Sequence, residues 1–122
     1  MSDNIKSVLI NLNSSMPEIL GGAVISTEGL IISSVIQRKF DEDLIGGMTA
    51  SMLGIGERIS AELMGSDMKQ VYVQSLNGYV VVNAVGDDAC LVVLVSKQAK
   101  LGLIFLEIQR AIKVLEEMFE TV

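Results

Sequence analysis

The chain has 122 residues, enough for one domain spanning 1–122 that buries roughly two thirds of its unfolded surface around a single core. Hydrophobic residues make up 50% and charged residues 20%, an apolar balance that requires some surface to be covered by another molecule, for which self-association is the simplest means. A net charge of −6, nine dispersed Lys and Arg, no Trp and only two Tyr and three Phe exclude a nucleic-acid binder, because phosphate contacts need clustered cations and stacking needs aromatic platforms.

In chain order, residues 3–14 place Ile5, Val8, Leu9 and Leu12 on one helical face, with Ser2 or Asp3 available as a cap and Pro17 as a stop. Gly21 and Gly22 then release the chain into two apolar runs, 23–26 and 30–36, around the turn Thr27-Glu28-Gly29, which predicts a β-hairpin. Residues 37–43 read as a polar connection whose acidic end suits the N-terminus of the next helix.

That helix, 41–64, has three faces where an ordinary surface helix has two. At about 100° per residue, Leu44, Ile45, Met48, Met52, Ile55, Ile59 and Leu63 share one arc, expected to be the face on the sheet. Gly47, Ala50, Gly54 and Ala61 form a stripe of small residues beside it, and Thr49, Leu53, Gly56, Ser60 and Met64 make the third face. Glycine costs about 1 kcal/mol against alanine inside a helix, so the glycines need a reason. Close approach of a second helix, from a second chain, supplies one; a kink or a division into two short helices is the alternative.

Beyond Gly65-Ser66-Asp67, the runs KQVYVQS and YVVVNAV flank Asn77-Gly78, a strong hairpin signal, and Gly86-Asp87-Asp88 turns the chain into ACLVVLV, whose unbroken apolar character predicts a strand covered on both faces. Residues 100–121 carry Leu101, Ile104, Phe105, Ile108, Ala111, Ile112, Leu115, Met118 and Phe119 on one stripe, a closing amphipathic helix. The order is α-β-β-α-β-β-β-α. The fold class is therefore α+β in three layers, a five-stranded antiparallel sheet with helices on both faces.

Little in the sequence supports chemistry. Histidine is missing, which removes the commonest acid-base group near neutral pH and the commonest zinc ligand. Cys90 stands alone in an apolar strand and reads as a small buried hydrophobe. Asp87-Asp88 suits a turn on backbone grounds, and Gly46-Gly47 and Gly54-Ile55-Gly56 lie in a helix pattern without the lysine that a phosphate loop requires. Met64 and Met68 are the methionines best placed for a partner contact. No cofactor or metal is expected. Residues 1–15 lack the basic start and apolar run of a signal peptide, and the longest uncharged apolar stretch, 71–86, is interrupted by polar residues, so a cytoplasmic chain without membrane insertion is expected.

Three phrases, GGAVISTEGLIISS, QVYVQSLNGYVVVNAV and DDACLVVLVSKQAKLGLIFLEIQRAIKVL, together with the element order, resemble the Roadblock domain family, which includes roadblock-type dynein light chains and prokaryotic MglB-like regulators. The resemblance covers nearly the whole chain and is one of pattern, with no catalytic motif. It implies a homodimer whose third strands pair edge to edge and whose long helices lie side by side, with Gly47, Ala50, Gly54, Ala61, Gln70, Tyr72 and Gln74 at the interface. It also implies a non-enzymatic scaffold that binds a small Ras-like GTPase and modulates or localises it, with Thr49, Leu53, Glu57, Ser60 and Met64 meeting that partner. Arg58 fits a solvated helix rim with Glu57 and Glu62 better than it fits an inserted arginine finger. Alternatives are a small-molecule sensor with a pocket between sheet and helix, or a structural subunit of a larger motor or scaffold complex.

Overall fold

The computed structural model of the chain describes residues 2–37 and 41–120, with Ser2 and Asp3 as backbone only. The expected cap at Ser2 or Asp3, residues 38–40 of the expected connection and Thr121 of the expected last helix lie outside the described side chains or residues. The elements are α1 (Ser2–Ser15), β1 (Ile19–Ser26), β2 (Ile31–Ile36), α2 (Glu42–Met64), β3 (Gln70–Ser75), β4 (Gly78–Val85), β5 (Ala89–Ser96) and α3 (Leu101–Glu120). This is the predicted order. The five strands form one antiparallel sheet in the order β2-β1-β5-β4-β3, so β5 is central and β2 and β3 are edges.

The unbroken apolar run of β5 serves both faces. Ala89, Leu91, Val93 and Val95 join α1 and α3 through Ile5, Leu9, Leu12, Ile104, Ile108 and Leu115, while Cys90 and Val92 join α2 through Leu53 on the other side. Full burial of such aliphatic side chains is worth about 1.5–3 kcal/mol each. The α1/α3 face supplies most of them, and α2 seats on the sheet more thinly.

Two local expectations shift. Gly21 and Gly22 do not precede β1 but lie inside it, because a Cβ at Gly21 would come 2.9 Å from the Ile36 Cα where β1 meets β2. The β3–β4 loop is Leu76-Asn77, with Gly78 as the first residue of β4 at φ +150, where a Cβ would overlap the Val95 carbonyl oxygen. Glycine is required there by close backbone approach.

Candidate functional site

α2 is one continuous helix of 23 residues, neither kinked apart nor divided. Asp41 caps it, its Oδ1 accepting from the Leu44 N–H at 3.2 Å, and Glu42 and Asp43 place negative charge in the first turn. At the far end Gly65 adopts φ +61 and its N–H donates to the Ala61 carbonyl, while the Ser66 N–H reaches the Ser60 carbonyl at 3.5 Å.

The face that α2 turns to the sheet differs from the expected one. Gly46, Thr49, Leu53 and Gly56 are the buried residues of this helix. The physical reason is close approach. A Cβ at Gly46 would overlap the Gly29 carbonyl oxygen in the β1–β2 turn, and one at Gly56 would lie 3.3 Å from the Val71 Cβ. Small residues let the helix settle onto the sheet, and Leu53 fills the space between them. Of the large apolar residues expected beneath the helix, Ile45 and Met52 are half-buried against the sheet core, while the others stand on its flank: Leu44 is 56% exposed, Met48 57%, Ile55 61%, Ile59 54% and Leu63 76%.

That exposed arc borders an open groove against β3. Leu44, Gly47, Met48, Met52, Ile55 and Ile59 form its helical wall, and Val71 and Val73 form its strand wall. Its volume is about 740 Å³. Because side chains alternate along a strand, Val71 and Val73 face α2, whereas Gln70, Tyr72 and Gln74 face the α3 side. Tyr72 indeed packs there, its ring 5.9 Å from Phe105 and 6.5 Å from Tyr79. The free edge of β3 and the apolar flank of α2 are therefore continuous, an exposed arrangement that proteins ordinarily cover.

The sequence-derived residues separate into three groups. Gly47 and Gly54 lie open, with no atom within 4 Å of an added Cβ, Ala61 is exposed and Ala50 half-buried. Glu57 and Met64 are exposed, and Ser60 is half-buried with its hydroxyl donating to the Ser66 carbonyl at 2.9 Å. Thr49 and Leu53, expected to meet a partner, are instead 5% and 4% exposed beneath α2, so they support the helix from below. Sequence reasoning missed Val73 and the flank of Leu44, Met48, Ile55 and Ile59 as exposed surface, with Val71 half-buried beside them. The available signal was Gly46, Thr49, Leu53 and Gly56, a second stripe displaced by one residue from Gly47, Ala50 and Gly54.

Arg58 pairs with Glu62 at 3.7 Å on the exposed rim, a contact worth little in water. Cys90 is buried, and desolvation, with the charge of Glu57 adding to it, pushes its thiol from 9.0 up to about 11. In the folded chain at pH 8 its alkylation by iodoacetamide is expected to run at least about 100-fold slower than for an exposed thiol, since two pKa units remove that much thiolate. The same shift makes stability fall as pH rises from 9 towards 11, because only the unfolded thiol ionises in that window. Equal labelling rates in native and urea-unfolded protein would contradict this burial.

Among the described residues, no group of three or more Cys, Asp and Glu lies close enough to hold a metal ion, and no helix is long and apolar enough to cross a membrane.

The Roadblock/LC7 domain profile matches residues 6–95. The uncharacterized protein MJ1340 of Methanocaldococcus jannaschii is 31% identical over 115 residues, covering 94% of this chain and 99% of its own length. Among solved structures, Myxococcus xanthus MglB has a TM-score of 0.89 at 23% identity, covering 98% of this chain and 90% of its own. An MglB described as having a tetrameric arrangement has a TM-score of 0.88 at 19% identity, covering 98% and 90%. At such identities these structures bear on fold alone.

Proposed function

This chain belongs to the Roadblock/LC7 domain family, and from that premise we propose that it is a homodimeric scaffold that docks a small Ras-like GTPase and modulates or localises it. The family is generally a non-enzymatic regulatory scaffold fold. The observation that carries the dimer is the apolar flank of α2 continuous with the unpaired edge of β3. Joining two β3 strands about a two-fold axis extends the sheet, satisfies the edge groups and brings Met48, Ile55, Ile59 and Val73 of each copy out of water. Gly47 and Gly54, open in the single chain, then let the second helix approach.

In the same reading the GTPase meets the outer surface of the paired helices at Glu57, Ser60 and Met64, with Thr49 and Leu53 holding that surface to the sheet. Capture from the native cytosol on immobilised protein is expected to recover a small Ras-like GTPase preferentially with a GTP analogue. The double variant Glu57→Arg/Met64→Arg is expected to lower that recovery about tenfold, through faster dissociation and charge reversal together. Recovery of no GTPase in either nucleotide state would remove the regulatory role and leave a scaffold of another kind.

A further inference from the structure

Asn77-Gly78 is the one Asn-Gly pair in the chain; Asn4, Asn11, Asn13 and Asn83 precede Ile, Leu, Ser and Ala. Asn77 ends the two-residue loop between β3 and β4 and is exposed. Its side-chain amide has no hydrogen-bond partner among the described residues, whereas those of half-buried Asn13 and buried Asn83 donate to the Val35 and Lys69 carbonyls. A free amide is chemically labile when the next residue has no Cβ, because the following backbone nitrogen can then reach the side-chain carbonyl carbon. The fold keeps that neighbour in place, since the close approach of the Val95 carbonyl oxygen excludes a Cβ at position 78.

One group opposes the attack. Ser75 Oγ accepts from the Asn77 N–H at 3.3 Å and donates to the Gly78 carbonyl at 3.1 Å, so a single hydroxyl spans the loop. Ser75 and Gly78 are also the closing pair of the hairpin. For the Gly78 nitrogen to turn onto Asn77 that pair must open, and the exposed end of a hairpin is where a native chain opens at least cost.

We propose that Asn77 is a deamidation site, an age-dependent mark at the end of the β3 edge, and that Ser75 is the positioning residue that sets its rate. The Gly78 nitrogen bonds to Asn77 Cγ, the Cγ–Nδ2 bond breaks, and ammonia leaves with the proton of the Gly78 N–H. Water then opens the cyclic imide, its hydroxyl going to a carbonyl carbon and its other hydrogen to the nitrogen. Opening at Cγ gives aspartate. Opening at the main-chain carbonyl carbon gives isoaspartate, which routes the backbone through the side chain and lengthens a loop that closes with two residues. Either product adds a negative charge. Ser75, Asn77 and Gly78 lie in one chain and outside the residues assigned to the dimer and to the GTPase, so the site stands or falls independently of both.

The test is ageing of the full chain at mildly alkaline pH, followed by peptide mapping with mass spectrometry that separates aspartate from isoaspartate. Acid is expected at residue 77 before it appears at Asn11, Asn13 or Asn83. Ser75→Ala, which alters an exposed side chain, is expected to speed its appearance about tenfold, the factor in an opening equilibrium that follows from losing two hydrogen bonds of ordinary net strength. Ser75→Thr, which keeps the hydroxyl, is expected to age as the parent does. Acid appearing first at another asparagine, or a Ser75→Ala rate equal to that of the parent, would overturn the proposal. An acceleration that Asn83 shares would do the same, because it would report general loosening. So would an intact Asn77 in the folded chain by the time the chain unfolded in guanidinium has fully converted at that position.

Discussion

Ile55→Glu is expected to halve the particle mass of the protein in solution, from twice the 13.1 kDa of the chain to once. In the single chain Ile55 is 61% exposed, so a glutamate there meets water and the monomer keeps its fold and its melting temperature within a few degrees. Across a two-fold interface the substitution occurs twice. Each copy loses roughly 2 kcal/mol of apolar burial and must also desolvate a carboxylate with no cation opposite, since Met48, Met52, Ile59 and Val73 surround it. The dimer constant is expected to weaken at least about 1000-fold. Sedimentation velocity reads the change directly, and a variant that sediments as the parent does would mean that the α2 flank joins nothing.

Gly46→Ala is expected to destabilise the fold by about 2 kcal/mol and to lower the melting temperature by roughly 8 °C, against the gain of about 1 kcal/mol that helix propensity alone would give. The added methyl would overlap the Gly29 carbonyl oxygen, a backbone atom of a turn held by the Gly29 N–H donating to the Ser26 carbonyl at 2.9 Å. The neighbouring Gly47→Ala has nothing within 4 Å to meet, so in the monomeric Ile55→Glu background it is expected to raise stability by about 0.5–1 kcal/mol. Opposite signs at adjacent glycines locate the seam between helix and sheet. Thermal melts of the two variants that moved in the same direction would place the seam elsewhere.

Much of the fold was legible in the sequence because its signals are local. The apolar periods of α1 and α3, the Gly-containing turn at 27–29 and the unbroken run of β5 each identify an element without reference to its neighbours. The orientation of α2 was not legible, and the reason is physical. Periodicity finds an apolar arc but cannot tell burial against the chain's own sheet from exposure that a second chain would cover, and most of the wider arc of α2 (Leu44, Met48, Ile55, Ile59 and Leu63) is exposed, while Ile45 and Met52 reach the core. Two stripes of small residues run one position apart along this helix. Only the tertiary approach of Gly29 and Val71 selects Gly46, Thr49, Leu53 and Gly56 as the seated stripe. The same limit explains Thr49 and Leu53, which share a helical face with Ser60 and Met64 by spacing but lie under the helix where those two lie near its exposed end. Asn83 was hidden differently. In YVVVNAV it reads as a polar break in a strand, and only the sheet register turns it into a buried amide beside α3.

The exposed flank also gives the composition a location. The largest group of exposed apolar side chains among the described residues lies where α2 and β3 meet, with others on α1, α3 and two loops, and an edge strand beside it offers unpaired backbone groups to whatever covers the groove. A second copy presents both complements at once, a strand and an apolar helix.

Light scattering on the native protein during gel filtration, at about 10 µM so that a dimer of ordinary affinity is fully formed, tests that pairing most directly. A mass of twice 13.1 kDa, or a higher even multiple, is the expected result. A mass of 13.1 kDa, with Leu44, Ile55 and Ile59 left in water, would contradict it.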